Sequence, residues 1–315
     1  MTQMTQTAPQ PSTLVPGLLS GIGAGALWGL VFLAPEIAGG FSPLQLTIGR
    51  YLCYGVTSAL LLAPRWQHVR ASLTRHDWLS LVWLAMAGNT LYFIFLSAAV
   101  QSAGVATTSL VIGFLPVAVT IVGSRDHGAI PLRRLTPSLL LCVGGAVCIG
   151  WQAVVAPASS NPVEQLTGLA CAIGALVSWT AFAVGNTRAL ARTLVSVHEW
   201  NLSAGLVTGA QALVLLPASF LLDDWSHPAP QWLTFAAVSA GVAIFASILG
   251  NALWNRMSRL LPLTLVGQMI LFETLFALLY GFLWEQRLPT AMELIAFALV
   301  VASVATCLAA HRAQR

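Results

Sequence analysis

Lysine is absent from this 315-residue sequence, and charge of either sign is scarce. The 14 arginines and 10 acidic residues together make up 8% of the chain, whereas 57% of its residues are hydrophobic and its mean hydropathy is +0.81. A soluble domain carries roughly 25% charged residues. The shortage of charge therefore excludes a soluble globular protein and indicates a membrane protein. We expect the lipid bilayer to be a partner of this chain.

Residues that would support metal, disulfide or nucleotide chemistry are also few. The five cysteines fall inside apolar segments without the spacing of metal ligands. The six histidines fall in predicted loops or at segment ends, and no pair has the i, i+4 spacing of a helical zinc site. No phosphate-binding glycine loop is present. We therefore expect no cofactor and no metal, and we disfavour an ATP-driven pump.

Ten apolar segments approach the length of about 20 residues that a helix needs to cross a bilayer. Short connections containing Gly, Pro or Ser separate them. We predict an all-α polytopic membrane protein with ten transmembrane helices, preceded by a disordered leader at residues 1–16. The predicted spans are 17–36, 43–63, 79–99, 104–123, 137–155, 166–186, 200–221, 232–253, 262–283 and 291–310.

The ten spans divide into two sets of five, at residues 17–155 and 166–310. Because five is an odd number, the second set must be inverted relative to the first, as in many secondary transporters that bind substrate between two inverted repeats. The segments GIGAGALW and AIGALVSW, which begin at Gly21 and Ala172, share four of eight positions, including Trp28 and Trp179. We predict two inverted five-helix repeats around a central cavity.

The arginines predict the orientation. If the first span leads outward, 12 of them lie in cytoplasmic segments, against Arg287 in an outer loop and Arg50 within a span. This bias places both termini in the cytoplasm. The net charge of +4 then reflects topology, and because the arginines are spread over several loops they do not indicate a nucleic-acid partner.

Several stretches together resemble the EamA-type permeases of the drug/metabolite transporter superfamily, over nearly the whole chain. They are GALWGLVFLAPEI, TIGRYLCYG, YFIFLSAAVQSAGVATTSLVIGFLPVAVTIVG and LWNRMSRLLPLTLVGQMILFETLFALLYGFLWEQRL. The resemblance implies a compact inverted-repeat bundle, with spans five and ten peripheral to the cavity, and export from the cytoplasm. One position departs from the family pattern, since Glu273 stands where the family often has a proline, opposite Pro116 of the first half.

Two ionisable residues inside spans are the main candidates for function, because a charge at the bilayer centre costs roughly 2.5 to 3.5 kcal/mol. Glu273 lies near the midplane and could bind a cationic group, take up protons or make a helix-packing hydrogen bond. Arg50 could bind a carboxylate or phosphate, pair with Glu36 or extend to the outer surface. If both face one cavity, they suit a zwitterion such as an amino acid, although they could instead pair with each other.

Other candidates are weaker one by one. Aromatic side chains could line a substrate pocket or simply pack, and polar ones could bind substrate or join helices. Pro116 would kink the fourth span, as a gate or as a static bend. The aromatic and polar site candidates are Trp28, Trp179, Tyr92, Trp254, Asn251 and Gln268.

We therefore predict a secondary transporter of a small-molecule substrate, an amino acid or a related compound, in the cytoplasmic (inner) membrane. A carrier for a drug, a nucleotide-sugar or another anionic metabolite is the alternative. A polytopic membrane enzyme or a channel is disfavoured, because the sequence shows no nucleophile or metal cluster near one interface. The substrate's identity, the coupling ion and the oligomeric state do not follow from the sequence.

Overall fold

The computed structural model describes residues 11–125, 130–155, 162–284, 286 and 288–312. All of the regular secondary structure in these ranges is helical, which confirms the predicted all-α class. Eight helices of the described part are long and apolar enough to cross a membrane. They cover 13–33, 43–72, 75–103, 163–190, 197–222, 229–260, 263–284 and 294–311.

Fifteen α-helices are assigned within the described residues. The first eight are α1 (Pro11–Gly29), α2 (Ala34–Ile37), α3 (Pro43–Leu62), α4 (Trp66–Ser72), α5 (Arg75–Ala85), α6 (Tyr92–Ile112), α7 (Leu115–Gly123) and α8 (Leu132–Val155). The others are α9 (Pro162–Leu190), α10 (Val197–Leu222), α11 (Ala229–Val242), α12 (Asn251–Leu260), α13 (Leu263–Met269), α14 (Leu271–Trp284) and α15 (Ala291–Arg312).

Two π-helical segments join neighbouring α-helices into longer continuous helical stretches. The first π segment, Met86–Leu91, connects α5 to α6, and the second, Ala243–Gly250, connects α11 to α12. A π turn widens the helix and leaves carbonyl groups without their usual partners, so such turns are often found at functional sites.

Helix starts follow the local sequence. At three of them the residue just before the helix accepts, through its side chain, a hydrogen bond from the backbone N–H three positions on, and the side chain at that later position accepts one from the backbone N–H of the capping residue. This reciprocal cap satisfies N–H groups that lack a partner within the helix. The pairs are Ser42 with Gln45, Thr74 with Asp77, and Ser196 with Glu199.

The structure differs from the predicted spans in two places. Helix α1 begins at Pro11, so residues 11–16 of the predicted leader are helical, while residues 1–10 lie outside the described part. The predicted break at residues 99–104 is not found, because α6 runs through it to Ile112. No proline interrupts that stretch, and the helix ends instead just before Pro116, whose ring is tolerated only in a first turn.

The fourth and fifth predicted spans are not among the eight membrane-length helices. Side chains at 104–107 and 149–155 lie outside the described part, and the search covered described residues only. The ten-helix arrangement therefore stays a prediction.

Helices α3 and α10 cross with their backbones in contact. A Cβ atom placed on Gly55 would lie 2.6 Å from Cα of Gly209, and a Cβ atom on Gly209 would lie 2.6 Å from Cα of Gly55. The contact is thus reciprocal, and it requires glycine on both sides.

A second reciprocal contact joins α8 to α15. The Ser138 hydroxyl donates to the Ser303 carbonyl at 2.9 Å, and the Ser303 hydroxyl donates to the Ser138 carbonyl at 2.7 Å. Small residues and hydroxyl groups are common at such helix contacts in membranes, where helices have no hydrophobic drive to associate.

Helix α1 packs closely on the α13–α14 region through glycines spaced four residues apart. A Cβ atom on Gly25 would lie 2.8 Å from the backbone nitrogen of Glu273, and one on Gly29 would lie 2.8 Å from that of Ala277. This close approach sets the backbone of Glu273 against α1, the helix that carries Trp28.

Candidate functional site

Three tryptophans from different helices meet at the centre. The ring centroids of Trp28 and Trp254 lie 4.9 Å apart, those of Trp179 and Trp254 lie 5.1 Å apart, and those of Trp28 and Trp179 lie 5.9 Å apart. Tyr92 adds a fourth ring, 6.3 Å from Trp179. All four side chains are buried. The structure thus brings four of the predicted site residues together, and we call them the central aromatic cluster.

The second π segment supports one side of this cluster. The Trp28 indole donates to the carbonyl of Ala246 at 3.1 Å and to Oδ1 of Asn251 at 3.2 Å. The Asn201 amide donates to the carbonyl of Ile248 at 3.0 Å. Carbonyls of the π segment therefore bind side chains from other helices, which orients Trp28 and Asn251 at the centre.

The first π segment is bound in a similar way. The Ser178 hydroxyl, next to Trp179 in the chain, donates to the carbonyl of Ala87 at 2.7 Å. The Tyr51 hydroxyl donates to the carbonyl of Asn89 at 3.1 Å. Each π segment is thus held both by the helix that carries a cluster tryptophan and by a neighbouring helix.

Arg50 is buried beside the cluster instead of extending to the outer surface. Its Nε donates to the Ser247 hydroxyl at 3.1 Å, and its guanidinium carbon lies 4.6 Å from the ring centre of Phe93. The two terminal nitrogens make no hydrogen bond or ion pair with the described residues. A planar guanidinium held at Nε with its other edge available suits a bidentate carboxylate. The side chain of Glu36, the other predicted partner, lies outside the described part.

Glu273 is buried in the first turn of α14, immediately after the break between α13 and α14. Its carboxyl group forms no hydrogen bond or ion pair with the described residues, and its attraction to Arg50 acts across a gap wider than the 4.0 Å of a salt bridge. The Tyr92 hydroxyl lies within electrostatic range of both charged groups. Two opposite buried charges thus face the same region without pairing directly.

Known proteins resemble this chain over most of its length. The model of the EamA-like transporter family matches residues 15–151. The inner membrane protein YtfF of Escherichia coli is 32% identical over 305 residues, which cover 92% of this chain and 94% of that protein. The chain belongs to the EamA-like transporter family. It is a multi-pass integral membrane protein and a membrane transporter.

Two further likenesses extend over most of this transporter. The uncharacterized transporter YdeK of Bacillus subtilis is 29% identical over 278 residues, or 86% of this chain and 88% of that protein. A solved crystal structure covers 94% of the transporter with a TM-score of 0.71 at 20% sequence identity. The helical fold is therefore shared with a protein known from experiment.

Gln268 lies in a different environment from the other candidates. It is fully buried on α13, and its side-chain oxygen lies 3.1 Å from the Ser303 hydroxyl, which shares its one proton between this oxygen and the Ser138 carbonyl. This places it beside the reciprocal serine contact of α8 and α15, where it joins helices. The structure gives it no hydrogen bond to the central aromatic cluster.

Pro116 is the second residue of α7, directly after the break at Gly113 and Phe114. The freed carbonyl of Gly113 accepts a weak hydrogen bond from the Cys142 thiol at 3.6 Å. Span nine of the transporter is broken in the same manner at Ile270, three residues before Glu273. The predicted interruption of the fourth span is thus present, and its role as a gate stays a prediction.

Sequence reasoning missed the two π segments and the polar residues that bind them. A signal was available, because GNTLY at 88–92 and GNALW at 250–254 share Gly-Asn-x-Leu followed by an aromatic residue. The aromatic residues of these two motifs, Tyr92 and Trp254, both belong to the central aromatic cluster. The match would also have indicated that the third and the eighth predicted spans are corresponding helices of the two repeats.

Replacing Trp28 with phenylalanine tests the support of the second π segment. The Trp28→Phe variant keeps a ring but loses the donor to Ala246 and Asn251. An interhelical hydrogen bond in a membrane protein contributes about 0.6 kcal/mol, with a maximum near 1.7. We expect the variant to lose about 1 kcal/mol of unfolding free energy, measured by thermal unfolding of the transporter in detergent. An unchanged melting temperature would show that the indole N–H contributes nothing to stability.

Proposed function

We propose that the protein is a secondary transporter that exports a small zwitterionic metabolite, an amino acid or a close relative, across the cytoplasmic membrane. The observation that carries this proposal is the pair Arg50 and Glu273. Each is a buried charge without a direct ionic partner among the described residues, although each attracts the other. Burying an unpaired charge in a membrane protein is costly, and such residues usually serve function.

A zwitterion supplies what the two residues lack. Its carboxylate would receive two hydrogen bonds from the terminal nitrogens of Arg50, and its ammonium group would face the Glu273 carboxylate. The substrate's remaining surface would lie against the central aromatic cluster, where the buried indole N–H of Trp254 has no hydrogen-bond partner in the described structure. A substrate bound there would relieve both charges and this donor together.

Two inverted halves, at 17–155 and 166–310, would move around this site. The reciprocal contacts support the proposal, since Gly55 with Gly209 and Ser138 with Ser303 are what a two-fold axis between related halves would produce. The pairing of the two π segments and the two Gly-Asn-x-Leu motifs agrees with the same axis.

The charges break this symmetry. If Gly55 corresponds to Gly209, then the position related to Arg50 is Ala204, and Glu273 corresponds to the region of Pro116. Residues of the paired contacts would build the scaffold, and the unpaired charges would define the substrate and its orientation.

Burial of the site supports alternating access. Arg50 is 8% exposed and Glu273 is 7% exposed, so a substrate reaches them only if helices move. The breaks before Pro116 and Glu273 are the places where such movement is least costly, because helical hydrogen bonds are already interrupted there. With both termini in the cytoplasm, as the arginines predict, the halves would open in turn to each side.

Substituting Arg50 tests the proposed substrate class. In proteoliposomes assayed by counterflow with radiolabelled amino acids, Arg50→Gln should weaken the apparent affinity by about ten- to a hundredfold, because a charged hydrogen bond contributes roughly 1.5 to 3 kcal/mol. Arg50→Lys should recover only part of the loss, since a lysine is not a planar bidentate donor.

Arg133→Gln is the matched control, because it removes an exposed arginine at the start of α8. Decarboxylated amines provide the chemical control and should be poor substrates of the wild type. Wild-type transport of amines and amino acids with equal affinity would contradict the assignment of Arg50 to a carboxylate. Transport of other metabolites but of no amino acid would contradict the zwitterion class.

A further inference from the structure

A groove of about 630 Å³ lies between α5, α7 and α9, and Trp179 is not part of its lining. One end carries the basic side chains of His76, Arg188 and Arg192, and the remaining wall is largely apolar. The groove is therefore separate from the central aromatic cluster.

The groove opens sideways, toward the surface that contacts lipid in a membrane. Val177 is 63% exposed and Trp83 is 44% exposed, although both line the groove and belong to helices of membrane length. The Trp83 ring packs over Gly185, whose missing side chain makes room for it.

The depth of the groove corresponds to one leaflet. Val177 and Arg188 are eleven positions apart on α9, which at 1.5 Å per residue is about 16 Å, or half of a hydrocarbon core of about 30 Å. Arg188 lies in the last turn of α9, which ends at Leu190, and Arg192 lies in the turn that follows. The Arg192 Nε donates to the backbone carbonyl of Arg188 at 3.2 Å, which holds the Arg192 side chain against the end of α9.

The basic residues of the groove favour an anionic ligand. Among the described residues, its lining includes two arginines and a histidine but no acidic residue. The nearest acidic side chain along α5, Asp77, is engaged by the hydroxyl and backbone N–H of Thr74. A basic end above an apolar wall complements a molecule with an anionic head and a hydrocarbon tail.

We propose that this groove binds an anionic phospholipid of the cytoplasmic leaflet. The phosphate lies at Arg188 and Arg192, and an acyl chain follows the wall past Val184 and Val177. Basic pockets between transmembrane helices on the cytoplasmic side are suited to such head groups. Because α9 also carries Trp179, the bound lipid would hold α5 and α7 against the helix that supports the central site. This inference is independent of which substrate is carried.

Native mass spectrometry of the full chain tests the site, with phosphatidylglycerol as the probe and phosphatidylcholine as the zwitterionic comparison. The wild type should bind phosphatidylglycerol in preference. Since each arginine near a membrane surface contributes about fivefold in affinity, Arg188→Gln combined with Arg192→Gln should weaken that binding about thirtyfold and abolish the preference. The double variant Arg133→Gln with Arg134→Gln removes the same charge from exposed positions of α8 and should leave binding unchanged.

A second variant tests the groove itself. Ala181 is an exposed small residue of the lining. The Ala181→Trp variant fills the groove without changing its charge, so it should also weaken phosphatidylglycerol binding. Each variant's melting temperature verifies folding. Equal losses in both arginine pairs, wild-type binding by Ala181→Trp, or displacement of the lipid by inorganic phosphate would each overturn the proposal, because they would indicate general surface attraction or a free-anion site.

Discussion

In inside-out proteoliposomes, Glu273→Gln should transport substrate at a rate and to a level that no longer respond to an imposed pH gradient. An amide of nearly the same shape cannot bind or release a proton, whereas the buried Glu273 carboxyl can. If one proton is coupled to each substrate, one pH unit corresponds to 1.36 kcal/mol, or about tenfold in the accumulation ratio of the wild type. The ratio for the variant should stay near one, with exchange of substrate retained at a weaker apparent affinity, because the substrate's ammonium group loses its counter-charge.

Glu164→Gln is the matched control for this prediction. Glu164 is an exposed residue in the first turn of α9, and its loss should change neither transport nor the response to the gradient. A Glu273→Gln variant that still responds to the gradient like the wild type would assign Glu273 to helix packing, or to contact with the substrate alone. Failure of this prediction would leave the Arg50 test of the zwitterion class untouched.

Gly55→Ala should strongly destabilise the protein. The added Cβ would lie 2.6 Å from Cα of Gly209, and a backbone cannot rotate away as a side chain can. Overpacking costs typically 1 to 3 kcal/mol, and for two backbones in direct contact we expect about 3 kcal/mol. Gly209→Ala should have an equal effect, because the contact is reciprocal.

Gly241→Ala provides the control, since a Cβ atom at that helical glycine would meet nothing within 4 Å. Alanine is preferred to glycine in helices by up to about 1 kcal/mol, so this change should leave stability equal or slightly raised. Thermal unfolding in detergent, followed by tryptophan fluorescence, compares all three variants. Equal melting temperatures for Gly55→Ala and Gly241→Ala would mean that α3 and α10 do not cross as described.

Much of the fold could be predicted from composition and periodicity. The all-α class follows from apolar segments of membrane length, because only helices satisfy every backbone group within one segment. The boundary between the third and fourth spans could not be predicted, since the stretch around Gln101 contains no proline and α6 continues through it. The end of α6 is decided by Pro116, which the sequence identified as a kink.

The site was predicted in part for a similar reason. Charged residues are rare in apolar segments, so Arg50 and Glu273 could be predicted as site residues. The matched positions of Trp28 and Trp179 favoured these two tryptophans as well. The Ser247 hydroxyl that holds Arg50 could not be selected, because a serine in a span is common and only the π segment gives it this role. Gln268 has the composition of a site residue, yet its hydrogen bond to Ser303 depends on how α13 meets α15.

The crossing of Gly55 and Gly209 has a consequence for how a binding site can be polarised. Two identical chains meeting at such an axis would each contribute an arginine and a glutamate, so the centre would hold two copies of both charges and no net direction. Joining the halves in one polypeptide allows one half to carry Arg50 while the related position of the other half is Ala204. The centre then has one positive and one negative end, and a dipolar molecule fits it in a single orientation.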